Sequence, residues 1–138
     1  MGVTNFDEYR DVFVVADTID DVVHPVTYEL IGQARRIAKE LGQLVQVMLL
    51  GENVQSEAEE LVAHGADIVH VFESPLLKYY TTDGYTKVLT DFFEDHKPNI
   101  LLIGATNNGR DLAPRMSGRM KNGVVADCTI LTVDTTES

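Results

Sequence analysis

Ile100-Leu-Leu-Ile-Gly-Ala-Thr-Asn-Asn-Gly-Arg-Asp-Leu-Ala-Pro-Arg115 joins a buried strand to a helix through a loop of small residues. Ile100–Ile103 is an apolar run with no polar alternation, the mark of a strand buried on both faces, as in parallel sheets covered by helices. Gly104 ends it. A loop of small residues and amides leads into a helix placed between Arg110 and Lys121, with Asn122-Gly123 as its stop. Pro114 either kinks the first turns of that helix or is itself the first helical residue. A strand that turns directly into a helix is half of a βαβ unit, and the rest of the chain repeats the alternation.

On either side, Val12–Ala16 is a second apolar run, bounded by Asp11 and Asp17, and Leu44–Leu50, interrupted by Gln46, is a third, closed by Gly51. Ala66–Phe72 is more polar, which places it nearer a sheet edge. Thr129–Val133 supplies a fifth strand. Between them, Leu30, Ala34, Ile37, Ala38 and Leu41 form one helical stripe from Pro25 to the Gly42 cap. Ser56-Glu-Ala-Glu59 reads as a capping box opening a short helix that Gly65 ends. Asp83 is positioned to cap a third helix, with Val88, Leu89, Phe92 and Phe93 facing the core and Lys97-Pro98 stopping it. The expected architecture is α/β: a Rossmann-like parallel sheet of about five strands, in the order 3-2-1-4-5, with helices on both faces. Its crevice falls between the first and fourth strands. Met1–Tyr9 and Asp134–Ser138 are expected to fray.

The chain has 138 residues, a length that suits one domain of ordinary size. Its 22 acidic residues against 11 Lys and Arg give a net charge of −11. This balance argues against nucleic acid as a partner, because a phosphate backbone demands clustered cations. No apolar run approaches the ~20 residues needed to span a bilayer. Met1–Asp11 is polar and acidic, unlike a signal peptide. The single Cys128 has no partner for an internal disulfide, which fits a cytoplasmic protein, or one of the mitochondrial matrix in a eukaryote.

Two loops flank the expected crevice. Asp17-Thr-Ile-Asp-Asp21 carries three carboxylates that could hold Mg²⁺ through oxygen ligands; a solvated acidic loop before a helix N-terminus explains them more simply. In the second loop, Thr106, Asn107, Asn108, Gly109 and Arg110 could form an anion or nucleotide phosphate site at a helix start. The competing reading has Asn107 or Asn108 capping the helix while Arg110 and Asp111 pair with a neighbouring domain. Neither Gly-x-Gly-x-x-Gly nor Gly-Lys-Ser/Thr is present. His24, His64, His70 and His96 are scattered, so no metal site is expected. Cys128 has no identifiable base. Tyr79, Tyr80 and Tyr85 read equally as an interaction surface or as core. No catalytic constellation assembles, which favours binding over catalysis.

Three stretches together resemble the N-terminal domain of the electron-transfer flavoprotein α subunit. These are Pro25-Val-Thr-Tyr-Glu-Leu-Ile-Gly-Gln-Ala-Arg35, the more specific Ile103–Arg115, and Ala126-Asp-Cys-Thr129. The likeness covers nearly the whole chain. It implies that residues 1–138 are a single scaffold domain of a heterodimer that passes electrons through flavin. Such a domain packs on the β subunit and supports the FAD-binding domain, which is absent here. No FAD is therefore expected on this chain alone, although the intact family protein holds it. Arg110, Asp111 and Arg115 are the candidates for domain or subunit contacts. The alternative is a stand-alone adenine-nucleotide-binding module resembling universal stress proteins, which share the fold class. Its wider glycine pattern is not matched at Gly118-Arg119 or Gly123-Val124.

Overall fold

The computed structural model describes residues 10–119 and 124–127. In chain order its elements are β1 (Val12–Val15), β2 (Thr18–Ile19), β3 (Val22–Val23), α1 (Pro25–Leu41), β4 (Val45–Gly51), α2 (Gln55–Ala63), β5 (Ile68–Glu73), a single 3₁₀ turn (Pro75–Leu77), α3 (Thr82–Asp95), β6 (Ile100–Ile103), α4 (Asn107–Arg119) and β7 (Val124–Asp127). The main sheet runs β5-β4-β1-β6-β7, and every neighbouring pair is parallel. This is the expected 3-2-1-4-5 order. The apolar run of β1 and that of β4, interrupted by Gln46, are buried along their whole length, while the more polar β5 is half-exposed at the edge. The fifth strand of the sheet is Val124–Asp127; the Thr129–Val133 stretch, Cys128 and the two terminal segments expected to fray lie outside the described residues.

Alternate residues of each strand face opposite layers. Val12, Val14, Val45, Val47 and Leu49 pack with Leu30, Ile31, Ala34 and Ala38 of α1 and Leu61 of α2. Phe13, Val15, Met48, Leu50, Leu101 and Ile103 pack on the other face with Tyr85, Leu89 and Phe93 of α3 and Leu112 and Met116 of α4. Each large side chain fully withdrawn from water stabilises the fold by about 1.5–3 kcal/mol, so these two layers drive folding. Leu41 departs from the expected stripe. It lies exposed at the end of α1, and Ile31 occupies the core instead.

Helix ends differ from expectation more than helix bodies. α1 begins and ends as predicted, with Pro25 in its first turn and Gly42 in the left-handed conformation at φ 67°. The capping box does not form, because α2 starts at Gln55 with Val54 at the cap and no side-chain cap bond. α3 is capped by Thr81, whose hydroxyl accepts from Gly84 N–H at 3.1 Å. Asp83 sits inside that first turn. α4 starts at Asn107, earlier than expected, so Pro114 is an interior residue rather than the first one. Its missing N–H leaves the Arg110 carbonyl without its helical donor. The β2–β3 hairpin was not foreseen. Its turn places Asp20 and Asp21 at φ 55° and 64°, the doubly left-handed geometry that short hairpin turns require and that Asp tolerates better than most residues.

Candidate functional site

β1 feeds α1 on one face of the sheet and β6 feeds α4 on the other, so a crevice opens between their carboxyl ends. A cleft of about 720 Å³ lies there, lined in part by Asp17, Ile19, His24, Tyr79, Thr106 and Arg110. Both loops that the sequence placed at the crevice contribute to it. Its volume falls within the ~300–1,000 Å³ typical of small-ligand sites.

Asp17 organises the inner wall. Its backbone is fixed on both sides: its N–H donates to Thr27 Oγ1 at 3.0 Å, and its carbonyl accepts from His24 N–H at 2.7 Å. Its carboxylate then reaches across the crevice and accepts from the Thr106 hydroxyl and from the Asn108 amide at 3.5 Å. Thr106 Oγ1 in turn accepts from Gly109 N–H at 3.1 Å. Thr106, rather than Asn107 or Asn108, therefore caps α4. The start of α4, where a phosphate would ordinarily be favoured, already faces a carboxylate of its own chain. Gly109 is buried against the Gly104 carbonyl, so its lack of a side chain serves helix–strand packing. Of the donors at this helix start, the Thr106 hydroxyl, the Asn108 side-chain amide and the Gly109 N–H are engaged within the chain.

The carboxylates of the first loop do not converge on a metal. While Asp17 faces α4, Asp21 turns to the end of β4 and accepts from Glu52 N–H at 2.9 Å and Asn53 N–H at 3.2 Å. Among the described residues no three His, Cys, Asp or Glu side chains cluster as ligands. The histidines serve local structure. His24 Nδ1 accepts from Val26 N–H at 3.0 Å and caps α1, His64 meets the Glu60 carbonyl at 2.8 Å, and His70 meets Gln46 Oε1 at 2.6 Å. Burial, with His96 nearby, pulls the His70 pKa below its ordinary value.

The outer rim is built differently. Arg110 is exposed and makes no ion pair among the described residues. Asp111 accepts from Tyr80 OH at 2.8 Å and from the Thr82 hydroxyl, while Arg115 pairs with Asp83 at 3.2 Å. These last two candidates thus bind α4 to the start of α3. The Thr82 and Tyr80 hydroxyls hold the Asp111 carboxyl below its usual range. Burial is the main reason that the Tyr80 phenol is pushed up to about 12. The three tyrosines divide: Tyr85 is core, Tyr80 is half-buried and Tyr79 is exposed. The Tyr85 hydroxyl meets Thr18 at 3.1 Å over the Leu50 carbonyl, and burial raises its pKa.

Sequence reasoning missed the Asp17 bridge and the Thr106 cap. A Thr three residues before a buried glycine was the available signal for the cap. The bridge joins residues 89 apart in sequence, and no local pattern marks it.

The chain matches the electron transfer flavoprotein domain family over residues 12–137. It is 46% identical over 127 residues to the electron transfer flavoprotein subunit alpha of Megasphaera elsdenii, an alignment covering 92% of this chain and 38% of that protein. It is 47% identical to the lactate dehydrogenase (NAD(+),ferredoxin) subunit LctC of Acetobacterium woodii, covering 89% of this chain and 29% of that one. The chain thus spans well under half the length of these curated relatives. Among solved structures, a universal stress protein from Archaeoglobus fulgidus superposes with a TM-score of 0.55 over 86% of this chain and 98% of its own, at 13% identity. That likeness concerns the fold alone.

Proposed function

The chain belongs to the electron transfer flavoprotein family, and from that premise we propose that it is the N-terminal scaffold domain of an α subunit. In this reading it packs on the β subunit, supports the FAD-binding domain, and performs no chemistry of its own in flavin-based electron transfer. The supporting observation is the Asp17 carboxylate, which holds Thr106 and Asn108 across the crevice. The cleft's inner polar groups serve the chain itself, and its rim leaves an exposed arginine and exposed apolar side chains for a neighbour. The FAD of the intact protein would then be held by chain outside this domain. Among the described residues no helix is long and apolar enough to cross a membrane.

Arg110 is proposed to meet a carboxylate across the subunit or domain boundary. Asp111 and Arg115 would shape the same surface while holding α4 to α3. Titration of the chain with its β subunit tests this, with Arg110→Ala expected to weaken association and unchanged affinity counting against the role. The other reading is a free-standing adenine-nucleotide module like the universal stress proteins. It draws on the fold and the cleft, but the Asp17 carboxylate that already faces the start of α4 weighs against it.

A further inference from the structure

The four most exposed large hydrophobic side chains among the described residues are Leu76 at 85%, Tyr79 at 67%, and Ile19 and Val22 at 62% each. All four belong to segments that follow β1 or β5, and the parallel sheet puts those segments at one end. Ile19 and Tyr79 line the same cleft, together with Lys78 and Arg110.

This surface is held firmly. Ile19 and Val22 are cross-strand partners in the β2–β3 hairpin, so they stand on one face of it. The other pair, Thr18 and Val23, is buried. Thr18 Oγ1 donates to the Leu50 carbonyl at 3.0 Å, Val23 N–H donates to Glu57 Oε1 at 2.7 Å, and Asp21 clamps the turn onto Glu52 and Asn53. The 3₁₀ turn is anchored similarly. Leu77 is buried, and Ser74 caps the turn by accepting from Leu76 N–H at 3.2 Å. A left-handed Asp-Asp turn costs backbone energy, and here it presents two β-branched side chains to water. Rigid, strained and apolar together mark an interaction surface.

We propose that this surface is the seat of the polypeptide that continues beyond β7. β7 runs parallel to β6 with Asp127 opposite Ile103, so its last residue lies at the end of the sheet that carries the patch. The α-subunit relative from Megasphaera elsdenii is more than twice as long as the aligned segment, enough for a second domain. That occupant offers an apolar face to Ile19, Val22, Leu76 and Tyr79. A second copy of this chain is disfavoured, because each brings a net charge of −11. The inference rests on the α-subunit reading above.

The test uses the α subunit that carries this domain, assembled with its β subunit and flavin. Benzoylphenylalanine replaces Tyr79 in one variant, Leu76 in a second and Val62 in a third; Val62 is an exposed residue of α2 outside the patch. Illumination of the first two is expected to cross-link α-chain peptides beyond Ser138, several-fold more than the third. Ile19→Glu is expected to lower that yield several-fold. Cross-links to β-subunit peptides instead, or yields at 76 and 79 no higher than at 62, overturn the assignment while leaving the scaffold reading intact. Failure of the unsubstituted α chain to assemble with β and flavin, seen as the mass of the free chain before illumination, overturns the scaffold reading and this seat with it.

Discussion

A Cβ added to Gly109 would lie 1.7 Å from the carbonyl oxygen of Gly104 and 3.2 Å from Cγ2 of Ile103. The first turn of α4 thus rests directly on the end of β6, with no room for a side chain between them. Gly109→Ala must push backbone apart, and a net destabilisation of about 2–3 kcal/mol is expected. Gly118, in the same helix, has nothing within 4 Å of such an atom. Gly118→Ala should stabilise by up to about 1 kcal/mol through helix propensity. Urea midpoints of the two variants check the pair, and equal shifts would contradict the packing account.

Asp17 should matter to stability although it lies on a loop. Asp17→Ala removes the acceptor for the Thr106 hydroxyl and the Asn108 amide, a loss of about 1–3 kcal/mol. Amide exchange should quicken first in the opening turn of α4, ahead of α1.

Stability should fall at both extremes of pH, for different residues. The folded pKa of His70 is depressed by burial and then by His96. Its contribution is complete above the ordinary value of about 6.5 and is lost as pH falls below it toward the folded value. His70→Gln should flatten the stability curve just below pH 6.5, before the carboxylates titrate. The Tyr80 phenol, raised to about 12, acts in the opposite window. Its contribution is present below about pH 10 and is lost as pH rises from there toward 12. Tyr80→Phe should shrink that alkaline loss. Denaturant titrations at stepped pH read both limbs.

The two arginines of α4 should separate stability from assembly. Arg115 is paired with Asp83 at an exposed site, so Arg115→Ala should cost no more than about 1 kcal/mol. Arg110 makes no ion pair among the described residues, and Arg110→Ala should leave stability within about 0.5 kcal/mol of the parent. The same change should weaken the partner complex about tenfold, or ~1.4 kcal/mol. Calorimetry of the free chain and of its titration with β distinguishes the two effects.

Most of the sheet was legible because its signal is local. The unbroken runs at Val12–Ala16 and Ile100–Ile103 mark strands covered on both faces, and the polar Ala66–Phe72 marks an edge. The α1 boundaries were legible for the same reason, with Pro25 and Gly42 both carrying backbone preferences of their own. Helix starts at α2, α3 and α4 were not, because a side chain that can cap is common and the one that does is chosen by tertiary contact. Asp83 is engaged by Arg115 from α4, which leaves Thr81 to cap α3. The hairpin escaped because its strands are two residues long and its turn lacks glycine. The crevice was legible from the order of elements alone. Its interior was not, since Asp17 and Thr106 meet only after the sheet has formed.

As a scaffold, this domain should assemble with a β subunit and keep no ligand of its own. Native mass spectrometry of the purified chain, alone and mixed with its β subunit in the presence of AMP and FAD, tests it most directly. A bare polypeptide is expected when it is alone, and a one-to-one complex with β that Arg110→Ala weakens. A folded chain that ignores β and carries AMP or FAD at its own mass would contradict it.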